Sequence, residues 1–278
     1  MTSACRDRGE MPADTRGGTV CRAALGYAVG GDLRFLSHLD ETRLLARALV
    51  RAGWPLAYSR GFNPRPRLAI LLPRSVGTAA DCQVAVAGLR ASADERALFD
   101  RLAEQMPTAA ALRWVKLPAP ARMPQVASAT YELEIDMGNG QRLAGRIGAI
   151  LAAESLVVER QDGPGPAQAP TESELARRPA RRRRGSARQI DIRPYIERLE
   201  LDGARLRLVL RFVAQRSARP SEVITILGLS PEAYLHRLRR TAIQWKTEPV
   251  GPLDWPAVPA RNELGTQEDH GRQSTQEH

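Results

Sequence analysis

Between Val20 and Val29 the sequence VCRAALGYAV alternates apolar and other positions between flanking glycines, which predicts a strand. SHLDETRLLARALVRAG then switches to the helical period: Leu45, Ala48, Leu49 and Ala52 fall on one face, and Arg43, Arg47 and Arg51 form a stripe on the other. The ends of this helix carry their own signals. Ser37 is a good N-cap, Asp40 stands at the third helical position in a variant of the capping box, and Gly53 stops the run. PLAYS and RLAILLP read as extended, DCQVAVAGL as a strand, ADERALFDRLAEQ as a helix ended by Met106-Pro107, and ALRWVKL as a strand. The order β, α, β, β, α, β is the ferredoxin-like arrangement.

A second block repeats the theme. ATYELEIDM alternates over Tyr131, Leu133, Ile135 and Met137; QRLAGRIGAILAAE is helical and SLVVER is a strand. RQIDIRPYIERLEL and ARLRLVLRFV pair as strands around Asp202-Gly203, a strong hairpin signal. RPSEVITILG and SPEAYLHRLRR are helical, the second with Ser230 as N-cap and Pro231 at its first position, and TAIQW is a last strand. The prediction is therefore an α+β protein of two ferredoxin-like domains with antiparallel sheets, residues 19–117 and 129–250, joined by a proline-rich linker at 118–128. Composition predicts disorder for residues 1–18 and 251–278, and for an insertion at 161–189 that is rich first in Pro and Gly, then in Arg.

Charge sharpens this picture. The 278 residues carry a net +10, almost all of the positive side as arginine, which points to a polyanionic partner. No run approaches the roughly 20 apolar residues of a membrane span, and no secretory signal stands at the N-terminus, so a soluble cytoplasmic protein is expected. The three cysteines Cys5, Cys21 and Cys82 are widely spaced and form no CxxC pair; neither a disulfide framework nor a cysteine-held metal is suggested. Asp81, Asp191 and Glu197 are isolated, with Asp191 read as structural beside Arg193 or Arg198, and DxD, HExxH and phosphate-loop motifs are absent. No metal and no cofactor is expected.

The densest chemistry is in SRGFNPRPR, Ser59 to Arg67. Gly61 permits a bend, while Pro64 and Pro66 fix their own φ and bias Asn63 and Arg65 away from the helical region. Arg60, Arg65 and Arg67 are thus presented by a stiff chain beside Tyr58 and Phe62. Arginine forks hold phosphate oxygens in pairs and aromatics stack on bases, so this stretch reads as a grip for single-stranded RNA. Arg43, Arg47 and Arg51 of the preceding helix, Asn63 in the loop, and Arg74 just beyond it complete the candidate surface. Its bland alternative is a solvated helix face with Tyr58 and Phe62 as core residues pinning the loop, Phe62 more than Tyr58. His38, one residue past the N-cap, is held neutral by the helix dipole and is the candidate base if the protein cleaves RNA; the competing reading makes it part of a capping motif.

FLSHLD, the segment RAGWPLAYSRGFNPRPR and the strand RQIDIRPYIERLEL together resemble the radical-SAM-linked family that carries the domain of unknown function DUF2344, over roughly Val20 to Trp245. In that family a FLSHLD helix start, an AYSQGFNPHPK-like loop and a D-x-R-P strand recur in this order. Here Arg60, Arg65 and Arg67 stand where glutamine, histidine and lysine are usual, and LPRSVG replaces LPLPLG. Members are often encoded beside, or fused to, a radical-SAM enzyme with a cobalamin-binding region. The resemblance implies a partner of such an enzyme that handles its substrate, RNA awaiting modification. The chain itself lacks the three clustered cysteines of a radical-SAM cluster, so it is read as non-catalytic. An RNA-cleaving enzyme using His38 and a protein-binding adaptor are the alternatives.

Overall fold

A computed structural model describes residues 19–119, 124–136, 138, 140–161 and 187–246. Strand β1 (Cys21–Val29) leads through a 3-10 turn, Gly31–Phe35, into helix α1 (His38–Arg51). Ser37 caps this helix as its sequence predicts, its Oγ accepting from the Asp40 N–H at 3.2 Å, and Gly53 follows the last turn at φ +65°. Leu45, Ala48, Leu49 and Ala52 are buried. Strands β2 (Leu68–Ile70) and β3 (Ala79–Leu89), helix α2 (Glu95–Ala103) and strand β4 (Leu112–Lys116) complete the first half. Its strands lie in the order β4-β1-β3-β2, every neighbouring pair antiparallel.

The second half runs β5 (Val126–Glu134), α3 (Gly140–Ala152), β6 (Val157–Gln161), β7 (Ala187–Asp191), β8 (Ile196–Asp202), β9 (Arg205–Arg211), α4 (Pro220–Ile226), α5 (Pro231–Tyr234) and β10 (Leu238–Trp245). Four of these strands pair antiparallel in the order β10-β5-β9-β8. The halves then meet: β10 pairs in parallel with β3 at Arg239↔Ala79 and Arg240↔Ala80, making one eight-stranded, mostly antiparallel sheet. The sheet thus runs from the strands of the first half into those of the second through β3 and β10. One large core lies between β1 and β3 and helices α1 and α2; another lies between β5, β8 and β9 and helices α3 and α4. The opposite face carries a small cluster of Ala24, Val84, Val86, Trp114 and Ala119, where the Trp114 indole lies directly on Gly26 and leaves no room for a Cβ.

Several expectations are corrected. RQIDIRPYIERLEL is not one strand: a 3-10 turn at Arg193–Tyr195 breaks it, because Pro194 has no N–H to continue a ladder. Its first part, β7, pairs only with β6 in a separate two-stranded ribbon. That ribbon takes Gln161 and residues 187–189, the two ends of the insertion expected to be disordered, into strand; 162–186 lie outside the described residues. SPEAYLHRLRR is α-helical to Tyr234 and continues as a 3-10 turn over Leu235–Arg237, but β10 begins at Leu238, ahead of the predicted TAIQW. Within 118–128, β5 starts at Val126 and residues 120–123 are outside the described residues, as are 1–18 and 251–278. No helix among the described residues is long and apolar enough to cross a membrane.

Candidate nucleic-acid interface

SRGFNPRPR is the top of a hairpin. Tyr58 and Pro66 face each other across its base, the Ser59 N–H donates to Arg65 O at 2.8 Å, and the Arg67 N–H donates to Ala57 O at 2.8 Å. The Arg65 N–H is taken by Ser59 Oγ at 3.0 Å. Below the hairpin, Ala57 and Arg67 bond in turn to Gly88 of β3, each at 2.8 Å, so the stem is an extension of the central sheet. Gly61 turns the tip at φ +146°, a region open to glycine and strained for other residues.

The side chains divide into two groups. Arg67 braces the stem, its Nε–H donating to Tyr58 O at 3.3 Å and its Nη1 to Thr19 Oγ1 at 3.1 Å. Arg60, Phe62, Asn63 and Arg65 are exposed at the tip, and Phe62 is 101% exposed. Phe62 is therefore not a core residue pinning the loop, and Tyr58, at 37% exposure, is partly open beside it. A fully solvated phenylalanine among arginines is the informative kind of apolar exposure.

Arg43, Arg47 and Arg51 line the exposed side of α1. Arg43 is paired with Asp40 at 2.9 Å and Arg51 donates to Gln105 O at 3.2 Å. The hairpin's outgoing strand, β2, packs against α1. His38 is exposed in the first turn of α1, and no hydrogen bond from its ring orients it among the described residues. Asp40 accepts from Ser37 Oγ at 2.7 Å and from Arg43, and these bonds, Ser37's first, hold its carboxyl below the usual range.

Arg74 corrects the expectation of an outward-facing anion binder. Its side chain is 1% exposed, with Nε 3.1 Å from Glu41 Oε2, Nη2 donating to Leu33 O at 2.6 Å, and Nη1 donating to Thr78 O at 3.1 Å and to Arg34 O. Tyr27 Oη donates to the other Glu41 oxygen at 3.0 Å. Burial, then the Glu41 charge, pushes the Tyr27 phenol well above its ordinary value, while burial pulls Arg74 down against the opposing effect of Glu41. This cluster holds both flanks of FLSHLD in place. Glu41 was missed in the sequence although it falls on the apolar stripe of α1, one turn before Leu45, and that position was its signal.

Asp191 is structural: its Oδ1 accepts the N–H of Leu156 at 2.8 Å and of Arg193 at 3.0 Å, and these bonds hold its carboxyl low. No group of three or more His, Cys, Asp or Glu among the described residues could hold a metal ion.

Residues 22–221 match the model of a family described as an uncharacterized protein conserved in bacteria, DUF2344. The match covers most of the chain, and the chain belongs to that family. No curated protein matches it.

Proposed function

We propose that this protein is a non-catalytic RNA-binding partner of a cobalamin-dependent radical-SAM enzyme, acting in the cytoplasm and gripping single-stranded tRNA or ribosomal RNA with the hairpin tip. The observation that carries this is Phe62, wholly exposed on a stem hydrogen-bonded into the central sheet. One unstacked base lies on the Phe62 ring, and Arg60 and Arg65 on either side take its flanking phosphates. Because the stem is already ordered, little entropy is lost on binding. Each half is read as a ferredoxin-like unit: strand orders β4-β1-β3-β2 and β10-β5-β9-β8 follow the same plan, with the β6–β7 ribbon inserted in the second. Single-stranded RNA is gripped by other modules of this shape, which supports the reading by analogy. The radical-SAM partner rests on the family resemblance of the motifs.

Fluorescence titration of labelled tRNA and ribosomal RNA fragments at two salt concentrations tests the reading. Phe62→Ala weakens binding by about 1 to 3 kcal/mol at both salts. Arg60→Gln with Arg65→Gln weakens it and makes it less sensitive to salt. If all three proteins bind RNA alike, the tip is not the grip. If wild type binds no RNA while Phe62→Ala abolishes co-purification with the radical-SAM enzyme, the protein is an adaptor.

A further inference from the structure

We propose that the seam between β3 and β10 binds a small monovalent inorganic anion of halide size against the buried guanidinium of Arg240. Among the described residues, the buried charged side chains are Glu41, Arg74 and Arg240. Glu41 is committed to Arg74 and Tyr27. Arg240, 0% exposed, is met by neutral groups: Nη1 donates to Leu72 O at 2.9 Å, Nη2 donates to Gln83 Oε1, and the Tyr131 hydroxyl and Cys82 thiol also face it. Two positive charges therefore face one negative charge in the interior, and the Arg240 charge adds to the burial that lowers Arg74. An unneutralised ion in the interior is costly, and a counter-ion removes that cost.

The unused hydrogen-bonding capacity lies in the same place. Arg240 Nε and Gln83 Nε2 are buried N–H donors without an acceptor, and the buried Thr78 hydroxyl has no partner either. Thr78 lies in the Arg74 cluster, its carbonyl accepting from Arg74 Nη1. Orphan N–H groups beside an excess positive charge select an anion over a cation. Arg240 is out of reach of the phosphates of a polymer because it is fully buried, so this site is separate from the hairpin tip. The position matters because, among the described residues, the halves share two paired positions of backbone ladder, Arg239↔Ala79 and Arg240↔Ala80. Around it, Arg34 Nη1 reaches His236 O at 2.6 Å and Arg239 pairs with Asp81. An anion here fastens the second half to the segments flanking FLSHLD.

Thermal unfolding of the full chain without RNA, at constant ionic strength, tests this by replacing sodium gluconate stepwise with sodium chloride or bromide. Wild type shows a saturable rise in Tm with halide; Arg240→Met loses the rise and Gln83→Leu shifts it to higher concentration. A bromide-soaked crystal shows an anomalous peak beside Arg240 Nε. The proposal is overturned if Arg240→Met responds to halide as wild type does, or if the bromide map is empty there and only water satisfies the donors. Should Arg240→Met not fold, Gln83→Leu and the bromide map decide.

Discussion

Glu41 stands between two groups that need it, the Tyr27 phenol and the Arg74 guanidinium, and its side chain is only 4% exposed. Removing its charge leaves two buried guanidiniums with no carboxylate. Glu41→Gln is therefore expected to cost about 3 to 5 kcal/mol in urea unfolding, whereas Glu41→Leu combined with Arg74→Met recovers most of that loss because both members of the buried pair leave together and neither is stranded without the other. A single variant within 1 kcal/mol of wild type would show that the pair is not what holds this region. At this scale the sequence was legible only in part. Ser37, Gly53 and Asp191 announce local backbone roles, and local roles can be read locally. Arg74 and Arg240 look like any other arginines in a chain rich in them; what buries them is the strand arrangement, with Gln83 standing 157 residues before Arg240.

The hairpin shows how an element acts beyond its residues. Pro64 and Pro66 restrict the unbound tip, while the bonds from Ser59, Arg65 and Arg67 close its base. Replacing both prolines with alanine is expected to lower folding stability by about 0.4 to 1 kcal/mol per site and to weaken RNA binding, since the tip must then be ordered on contact. Unfolding and RNA titration of the same preparation check both parts, and unchanged affinity would mean that stiffness contributes nothing to the grip. Among the elements, α1 was legible at both ends because its caps are side-chain signals. The strand 188–201 was not, because apolar alternation continues on both sides of Pro194 and says nothing of which partner each side takes. The same limit applies to Leu238, whose place in β10 is set by pairing with Leu133.

Across the whole molecule, the seam joining the halves was not legible at all, since periodicity reports which face of an element is buried and never which strand of the other half lies beside it. What the whole molecule adds is a pH window. Asp136 accepts from Tyr234 Oη at 2.6 Å and from Arg237 Nη1 at 2.6 Å, and these bonds, Tyr234's first, hold its carboxyl low, as others hold Asp40, Asp191 and Glu232. An acid with a depressed folded pKa contributes stability that is fully present above its unfolded value, about 4, and is lost as pH falls through the folded value. Tyr27 acts with the opposite sign: its folded pKa is raised, so its contribution is full below the unfolded phenol value of about 10 and is lost as pH rises beyond it. The urea midpoint is therefore expected to be flat near neutrality, falling below about pH 4 and above about pH 10. Asp191→Asn is expected to lower the midpoint at pH 7 and to approach wild type as pH falls through the lowered native value of Asp191. A gap between the two proteins that stays constant from pH 7 to pH 2 would assign the role of Asp191 to its shape as an acceptor rather than to its charge.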